Sequence, residues 1–333
     1  MTIVRTALSI ALLLGLVVTP FPAEAQPATS PARIGLLPFG SPSNAYDRSL
    51  VEAFRHGLRE VGVVENRDVV LDVAWIGSEP ETSTAVSELI QRGAKLLIPF
   101  GTSASLATKR QASTIPILFI SVGNPVGIGL VESLSRPGGN VTGFSDILLD
   151  LSGKYVQFAR ELGKTPATID YLWHRAWGDG QNRLRATERA AQSAGVKLRP
   201  QGIGDIGELN DVMASVKKAG AMTLIVQPSP FTYRYRSRRS RLVDAATKNG
   251  LATIFAFPPA AREGALIAYG PDYADLCRRA ASYADRILKG TKPADLAVQE
   301  PTKLDLIINL RTAKALGRTI PQSLLVQATE IIQ

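Results

Sequence analysis

Residues 34–61 read IGLLPFGSPSNAYDRSLVEAFRHGLREV, which is an apolar run, a polar turn and an amphipathic segment in that order. The apolar run is hydrophobic throughout, as is typical of a strand that is covered on both faces of a parallel sheet. In the segment that follows, Leu50, Phe54 and Leu58 recur every fourth residue and predict a helix with one core-facing stripe. The stretch therefore predicts a strand, a turn and a helix of an α/β fold.

The same unit recurs along the chain. Further helices are predicted at Thr82–Arg92 and Asp275–Leu288. Alternating strands and helices predict parallel, doubly wound sheets, and the strands are too many for one small sheet. We therefore expect two Rossmann-like lobes with about five strands each. Strands are predicted at Ile34–Phe39, Val69–Ile76, Leu96–Phe100, Ile117–Ser121, Val141–Phe144, Ile169–Trp173, Val196–Arg199, Thr223–Gln227, Thr253–Phe257, Leu266–Tyr269 and Leu306–Leu310.

The N-terminus predicts a secretory signal peptide. Arg5 gives a positive start, Ala7–Val18 is an apolar run, and residues 23–25 (AEA) form an A-x-A cleavage site before Gln26. The apolar run is shorter than the roughly 20 residues that span a bilayer, and an uncleaved anchor is the alternative. No cysteine follows the run to carry a lipid. We expect cleavage after Ala25 and a mature chain in the periplasm of a Gram-negative bacterium.

The composition argues against several classes of protein. The net charge is +9, which by itself does not select a partner. Cys277 is the only cysteine, so no internal disulfide forms, and its helical surroundings favour a small buried hydrophobe. With only His56 and His174, no Cys/His metal cluster is possible, and we expect neither a metal nor a cofactor. Residues 202–207 match G-x-G-x-x-G, but the acidic residue expected about 20 residues later is absent.

Two runs of sequence are specific to a known family. They are SRPGGNVTG at residues 135–143 and NLRTAKALG at residues 309–317, and GTSA at 101–104 and VGNPV at 122–126 add to them. The chain resembles the periplasmic substrate-binding proteins of ABC transporters, in the subgroup that includes tryptophan- and tyrosine-binding members. The resemblance implies the type I periplasmic binding fold, in which two Rossmann-like lobes with parallel sheets are joined by three crossovers. Such lobes close on a small molecule and deliver it to a membrane permease.

The chain is expected to pass between the lobes at turn-rich segments near residues 143–153, Pro258-Pro259 and Lys292–Pro301. Three crossings make each lobe discontinuous in sequence. The predicted organisation is a signal peptide at 1–25, an N-terminal lobe of residues 33–143 plus 258–297, and a C-terminal lobe of residues 144–257 plus 298–333.

Three loops of the N-terminal lobe follow predicted strands and offer hydroxyl, amide or backbone N–H groups. Ligands of open α/β sheets bind beyond the carboxyl ends of the strands, and a helix N-terminus there favours an anion such as a carboxylate. For each of these residues, helix capping alone is the alternative. The candidate ligand-binding residues of these loops are Ser41, Ser43, Asn44, Gly101, Thr102, Ser103, Ser121, Asn124 and Pro125.

The C-terminal lobe is expected to supply the opposite wall. Aromatic side chains there would stack on a ring, and Arg175 would pair with a carboxylate, whereas core packing of Trp173 and solvation of Arg175 are the alternatives. Members of the subgroup often have Asp where this chain has Asn124, so the ligand is not carried over from them. The further candidates are Trp173, Arg175, Trp177, Ser229 and Phe257, with Tyr269 at the end of an N-terminal-lobe strand and Asp146 near the crossing.

Residues 233–241 read YRYRSRRSR and form the strongest run of charge. A solvated helix face is the plainest interpretation, a docking surface for a permease or anionic headgroups is the second, and nucleic acid is the third. Because the chain is predicted to be exported, we expect no nucleic-acid partner.

We therefore expect a monomeric solute-binding component of an ABC importer, not an enzyme, with a small aromatic or carboxylate-bearing ligand in the cleft. An exported sensor of the same fold is the alternative. A secreted hydrolase that uses a serine with His56 or His174 is a weaker one.

Overall fold

The structure is a computed structural model that describes residues 30–77, 79–163, 168–175, 180–229, 232 and 236–333. The predicted signal segment, residues 1–25, lies outside these residues. Among the helices that the structure describes, none is both long enough and apolar enough to cross a membrane.

The first sheet contains strands in the order β2-β1-β3-β4-β5, all of them parallel. Its strands are apolar because helices cover them, and Ile34, Leu36 and Leu37 of β1 are fully buried. The strands are β1 (Ala32–Leu37), β2 (Val69–Val73), β3 (Leu96–Pro99), β4 (Ile117–Val122) and β5 (Val141–Ser145). The helices between them are α1 (Ala45–Glu60), α2 (Glu79–Gln91) and α3 (Thr102–Gln111).

The second sheet has the order β12-β11-β10-β9-β8-β6-β7 and is parallel except where β10 meets β11. Its strands are β6 (Thr168–His174), β7 (Lys197–Ile203), β8 (Thr223–Val226), β9 (Ala252–Phe255), β10 (Ile267–Pro271), β11 (Leu304–Asn309) and β12 (Glu330–Ile332). Its part of the chain holds helices α4 (Ser152–Leu162), α5 (Gly180–Ser193), α6 (Leu209–Lys218), α7 (Arg236–Lys248), α8 (Pro259–Arg262), α10 (Leu310–Ala315) and α11 (Gln322–Gln327). Helix α9 (Tyr273–Leu288), between β10 and β11, instead packs against the first sheet and its helices. The short strand β12 is an element that the sequence did not predict.

The predicted two-lobed α/β fold is confirmed, but the place of one strand is corrected. We predicted that Leu266–Tyr269 belongs to the N-terminal lobe, and this was wrong. The strand is β10, which pairs with β9 on one side and β11 on the other. The connection from β9 to β10 holds only the short helix α8, so the chain returns to the neighbouring position in the same sheet. The second crossing therefore follows β10 rather than Pro258-Pro259.

Helix α9 follows that crossing and packs against α1 of the first sheet. Asp272 caps it by accepting the N–H of Asp275 at 3.0 Å. The carboxylate of Asp275 is buried and lies 2.8 Å from Arg278 and 3.4 Å from Lys303. Lys303 directly precedes β11, at the third crossing, and Asp275 lies just after the second. The ion pair between them therefore links the two crossing segments.

We predict that Asp275→Asn destabilises the protein by about 1 to 2 kcal/mol at neutral pH, since its cationic partners are partly exposed. Burial by itself would raise the pKa of Asp275, but the hydrogen bond from Arg278 and the charge of Lys303 outweigh burial and lower it. A lowered folded-state pKa stabilises the protein above the unfolded-state pKa, and this contribution is lost as the pH falls through the folded-state pKa. Urea unfolding of both proteins should therefore show the difference shrinking between about pH 5 and pH 2.

Asp285→Asn on the same helix is the control, because Asp285 pairs at 2.7 Å with Lys289, which is 70 % exposed. Asp285 itself is 14 % exposed, but an i,i+4 pair with so exposed a cation contributes only about 0.3 to 0.5 kcal/mol. Equal losses for the two variants, or a loss for Asp275→Asn that does not change with pH, would contradict the role given to Asp275.

Candidate functional site

A cavity lies between the first sheet and segments that follow β6 and β9. It encloses about 810 Å³ of space that no atom fills, a figure that includes space open to solvent. The first sheet and its helices supply most of the wall, whereas Arg183 of α5 and Phe257 come from the second sheet's part of the chain. The lining residues are Phe39, Tyr46, Asp47, Leu50, Phe100, Gly101, Thr102, Ser103, Ser121, Asp146, Arg183, Phe257 and Tyr273.

The N-terminus of α3 forms one wall of the cavity. Gly101 precedes this helix with a φ of 79°, which glycine adopts without steric cost. A Cβ at Gly101 would lie 2.7 Å from the ring of Phe39, so the glycine also lets that ring approach. No side chain caps the helix, and the first N–H groups of a helix have no partner within it. Gly101, Thr102 and Ser103 therefore form a wall that suits an anionic group.

Ser121 and Asp146 lie side by side at the ends of β4 and β5. Ser121 has a φ of 61° where the pairing of β4 with β5 shifts its register. The Ser121 hydroxyl donates to Asp146 Oδ2 at 3.1 Å, and Asp146 Oδ1 accepts the N–H of Leu148 at 3.2 Å. Positive φ is uncommon outside glycine and tends to occur at ligand sites, where the surrounding structure holds the strain. The irregular backbone thus directs a hydroxyl to a buried carboxylate on the cavity wall.

Arg183 brings a buried positive charge to the same wall. It lies in the first turn of α5, whose start is fixed because Gln227 donates to the carbonyl oxygen of Gly180 at 2.9 Å. Arg183 Nη2 lies 3.9 Å from Asp146 Oδ1, and both side chains are 5 % exposed. A Cβ at Gly123 would lie 2.3 Å from Nη2, so glycine leaves the space that the guanidinium fills. A cation in a first helical turn opposes the helix dipole, which indicates that Arg183 serves the cavity rather than the helix.

Asp47 is the second carboxylate of the cavity. Asn44 begins α1 and accepts the N–H groups of Tyr46 at 2.9 Å and Asp47 at 3.4 Å. Asp47 Oδ2 accepts the N–H of Ser41 at 3.0 Å, and a Cβ at Gly40 would lie 2.1 Å from this oxygen. Burial raises the pKa of Asp47 above its ordinary value, and the hydrogen bond from Ser41 offsets this only in part.

Aromatic rings form the remaining wall. Phe257 lies 5.5 Å from Tyr46 in an edge-on arrangement and 5.9 Å from Tyr273 in a tilted one, measured between ring centroids. Behind Phe257, the guanidinium of Arg239 lies 4.8 Å from the ring centroid and donates twice to Glu263, each time at 2.7 Å. The apolar lining is completed by Phe39, Leu50 and Phe100.

The structure brings part of the predicted site together in this cavity. The predicted residues that line it are Gly101, Thr102, Ser103, Ser121, Asp146 and Phe257. The predicted loop before α1 lies beside the cavity instead, where Asn44 caps the helix and the hydroxyls of Ser41 and Ser43 lie 2.8 Å apart. Asn124 and Pro125 form a turn, in which Asn124 Oδ1 accepts the N–H of Gly127 at 2.9 Å.

Other predicted residues lie away from the cavity. Trp173 packs against the core of the second sheet. Arg175 is exposed and forms a salt bridge with Glu208 at 2.6 Å. Its positive charge is therefore paired at the surface and not in the cavity. Ser229 is buried and its N–H donates to Thr232 Oγ1 at 3.1 Å. Trp177 lies outside the described residues.

Tyr269 does not line the cavity, because its strand belongs to the second sheet. Its ring centroid lies 5.2 Å from that of Phe158 and 6.2 Å from that of Tyr155, both on α4. Burial raises the pKa of Tyr269. The side chain therefore packs between its sheet and α4.

Several residues of the site were not predicted from the sequence. Asp47 and Arg183 lie on helices, where charged residues usually mark a solvated face. One signal was present for Arg183, since a positive charge is unfavourable in a first helical turn. The apolar residues that were missed are Phe39, Tyr46, Leu50, Phe100 and Tyr273. Among the described residues, no three His, Cys, Asp or Glu side chains are grouped as a metal ion would require.

Known proteins share both the sequence pattern and the fold. A family described as ABC transporter substrate binding protein matches residues 44–332. The tyrosine-binding protein of Clostridioides difficile is 25 % identical over 273 residues, which cover 80 % of this chain and 75 % of that protein.

Two solved structures show the same fold. One is an ABC domain from Streptococcus pneumoniae in complex with L-Trp, with a TM-score of 0.81 and 24 % identity, and the match covers 91 % of this chain and 100 % of that one. The other is a conserved domain protein from Vibrio cholerae, with a TM-score of 0.80 and 23 % identity, covering 90 % of this chain and 99 % of that one.

Proposed function

Because the chain belongs to the family of ABC transporter substrate-binding proteins, we propose that it captures a small carboxylate-bearing molecule and presents it to the permease of an ABC importer. Proteins of this family bind small molecules rather than transform them. The observation that carries the ligand class is the meeting, at one cavity, of the uncapped N-terminus of α3 with the buried guanidinium of Arg183. Both features attract an anion, and they come from different parts of the chain.

The carboxylate would lie at the α3 N-terminus, where Thr102 and Ser103 offer N–H groups and hydroxyls. Such a terminus carries about half a positive charge. Arg183 adds a positive charge that Asp146, 3.9 Å away, offsets in part, and its low exposure removes much of the screening by water. Asp146 holds this guanidinium from one side, so the arginine is oriented before the ligand arrives.

The body of the ligand would lie against Tyr46, Phe257 and Tyr273. Most of the cavity wall is apolar, and aromatic rings bind flat or apolar groups by stacking and edge contacts. The finding that relatives bind tyrosine and tryptophan is consistent with a ring at this position. We therefore place an aromatic or compact aliphatic body here.

Binding would couple the two halves of the molecule. A ligand that touches α3 and Arg183 at once binds best when the halves are close, so it shifts the population toward a closed form. With the correction at β10, we propose lobes of residues 33–143 plus 273–297 and residues 144–272 plus 298–333. The family works outside the cytoplasm, and we propose that this chain works as a monomer in the periplasm after cleavage of residues 1–25.

A thermal-shift panel tests this function. We expect aromatic and aliphatic carboxylates to raise the melting temperature, because a ligand at 100 times its Kd stabilises the native state by about 2.7 kcal/mol. The matched methyl esters, which lack the charge, should produce no shift. Chromatography should recover the ligand unchanged. Equal shifts from esters, or conversion of the ligand to a product, would contradict the proposal.

A further inference from the structure

We propose that Arg239 and Glu263 are positioning residues, whose ion pair lies behind Phe257 and fixes the direction of its ring in the cavity wall. The affinity for a ring-bearing ligand then depends on two residues that do not touch the ligand. This inference rests on the function proposed above, because it assigns how one wall of that cavity is held.

Arg239 differs from its neighbours in the basic run of residues 233–241. Arg241 of the same helix is exposed, as a solvated helix face requires, but the side chain of Arg239 is only 3 % exposed. Arg239 also lies in the first turn of α7, where a positive charge opposes the helix dipole. Neither burial nor this place in the helix favours an arginine, so its contacts must account for it.

Three hydrogen bonds fix the guanidinium of Arg239. Its Nε and Nη2 each donate to one carboxylate oxygen of Glu263 at 2.7 Å, and Nη1 donates to the carbonyl oxygen of Thr232 at 2.7 Å. Glu263 directly follows α8 and is itself buried. Thr232 is held in turn, because its Oγ1 accepts the N–H of Ser229 at 3.1 Å. A two-point pair with a further donor on a third partner leaves a planar group one orientation.

The fixed guanidinium lies against the ring of Phe257. Its central carbon is 4.8 Å from the ring centroid, within the range of a cation–π contact. The same ring contacts Tyr46 and Tyr273, and all three rings line the cavity. Arg239 is not one of the described residues that line it. The arginine therefore acts on a ligand through the ring of Phe257.

Stability alone does not account for a buried ion pair at this place. Burying two charges costs free energy that their attraction offsets only in part, and apolar residues often replace such a pair without loss of stability. An apolar side chain at Arg239 would also contact Phe257. The guanidinium differs from such a side chain because it is flat, charged and held in one direction. These properties bear on how the ring is oriented.

The pairing with Glu263 also keeps the cavity selective for its anion site. The charge of Arg239 lowers the pKa of Asp47 on α1, and the charge of Glu263 raises it. Both charges thus reach the cavity wall with opposite signs, and the pair adds little net charge there. An unpaired cation behind Phe257 would instead compete with Arg183 for the carboxylate of the ligand.

Removing both charges together tests the inference without leaving either one buried alone. The mature chain and Arg239→Met/Glu263→Met are titrated calorimetrically with 3-phenylpropanoate and 4-methylpentanoate. The double variant should bind 3-phenylpropanoate about 3- to 10-fold more weakly, which is the range for aromatic contacts. Its affinity for 4-methylpentanoate should stay within about twofold, because a branched aliphatic group packs without a preferred ring direction.

Arg199→Met/Asp170→Asn is the matched control. Arg199 also donates twice to one carboxylate, at 2.7 Å each time, but neither Arg199 nor Asp170 lines the cavity. This control should keep both affinities, whatever its effect on the melting temperature.

Fluorine NMR with 4-fluorophenylalanine in place of Phe257 reports on the ring without any ligand. Loss of the pair should shift the fluorine resonance and broaden it, since the guanidinium leaves the ring face and the ring samples more orientations. An unchanged resonance, or equal effects on the two carboxylates, would overturn the role of Arg239 and Glu263. If neither carboxylate binds the unmodified protein, the proposed function fails, and the fluorine resonance alone decides whether the pair orients the ring.

Discussion

Replacing Arg183 with methionine should weaken carboxylate binding by about 2 to 4 kcal/mol, a factor of roughly 30 to 1,000 in Kd. The side chain is 5 % exposed and lines the same cavity as the α3 N-terminus. Methionine keeps the apolar part of the side chain and removes the charge and the hydrogen-bond donors. The variant also leaves Asp146 buried beside an apolar group, so we expect a lower melting temperature as well.

Two companion variants separate the loss of binding from the loss of stability. Arg183→Met combined with Asp146→Asn also removes the buried carboxylate charge and should recover melting temperature without recovering affinity. Arg185→Met on the same helix is the matched control, because Arg185 is exposed and does not line the cavity. It should bind like the unmodified protein. A titration in which Arg183→Met keeps full affinity for every carboxylate would remove Arg183 from the site.

Gly57→Ala should lower the free energy of unfolding by about 2 to 3 kcal/mol, although it adds only one methyl group. A Cβ at this position would lie 2.0 Å from the carbonyl oxygen of Arg278 and 2.8 Å from the Cβ of Ala281. Both atoms belong to α9, and a backbone oxygen inside a helix has little freedom to move. The two helices would have to separate, and Tyr273 at the start of α9 would move with them.

Gly153→Ala tests whether this effect comes from contact or from glycine itself. Gly153 also lies within a helix, but a Cβ there would meet nothing within 4 Å. Alanine should therefore stabilise α4 by about 0.5 to 1 kcal/mol. The two variants are compared by the midpoint of urea unfolding. If both shift the midpoint in the same direction, the close packing of α1 against α9 does not have the importance given to it here.

Most strands could be predicted because their burial is visible in single stretches of sequence. Ile34–Phe39, for example, is apolar throughout, and β1 overlaps it but begins and ends two residues earlier, at Ala32 and Leu37. Pairing partners could not be predicted in the same way. The apolar run Leu266–Tyr269 would suit a buried strand of either sheet equally well. Only its pairing with β9 and β11 shows that it belongs to the second sheet. The misplaced second crossing follows from that single ambiguity.

The residues of the site also differ in whether the sequence could predict them. Gly101 and Ser121 could be predicted because they lie at the carboxyl ends of strands of a parallel sheet, where loops meet at one edge. Asp47 and Arg183 could not, because their approach to the cavity depends on how helices of different halves pack. Arg175 shows the reverse error. It follows β6 as expected, yet Glu208 lies close enough to hold it at the surface.

A crystal structure with the carboxylate that gives the largest thermal shift tests the central claim most directly. We expect ligand density in the cavity, with the carboxylate within hydrogen-bonding distance of the N–H of Thr102 or Ser103 and facing Arg183. Density at another site, or a carboxylate turned away from both α3 and Arg183, would contradict it.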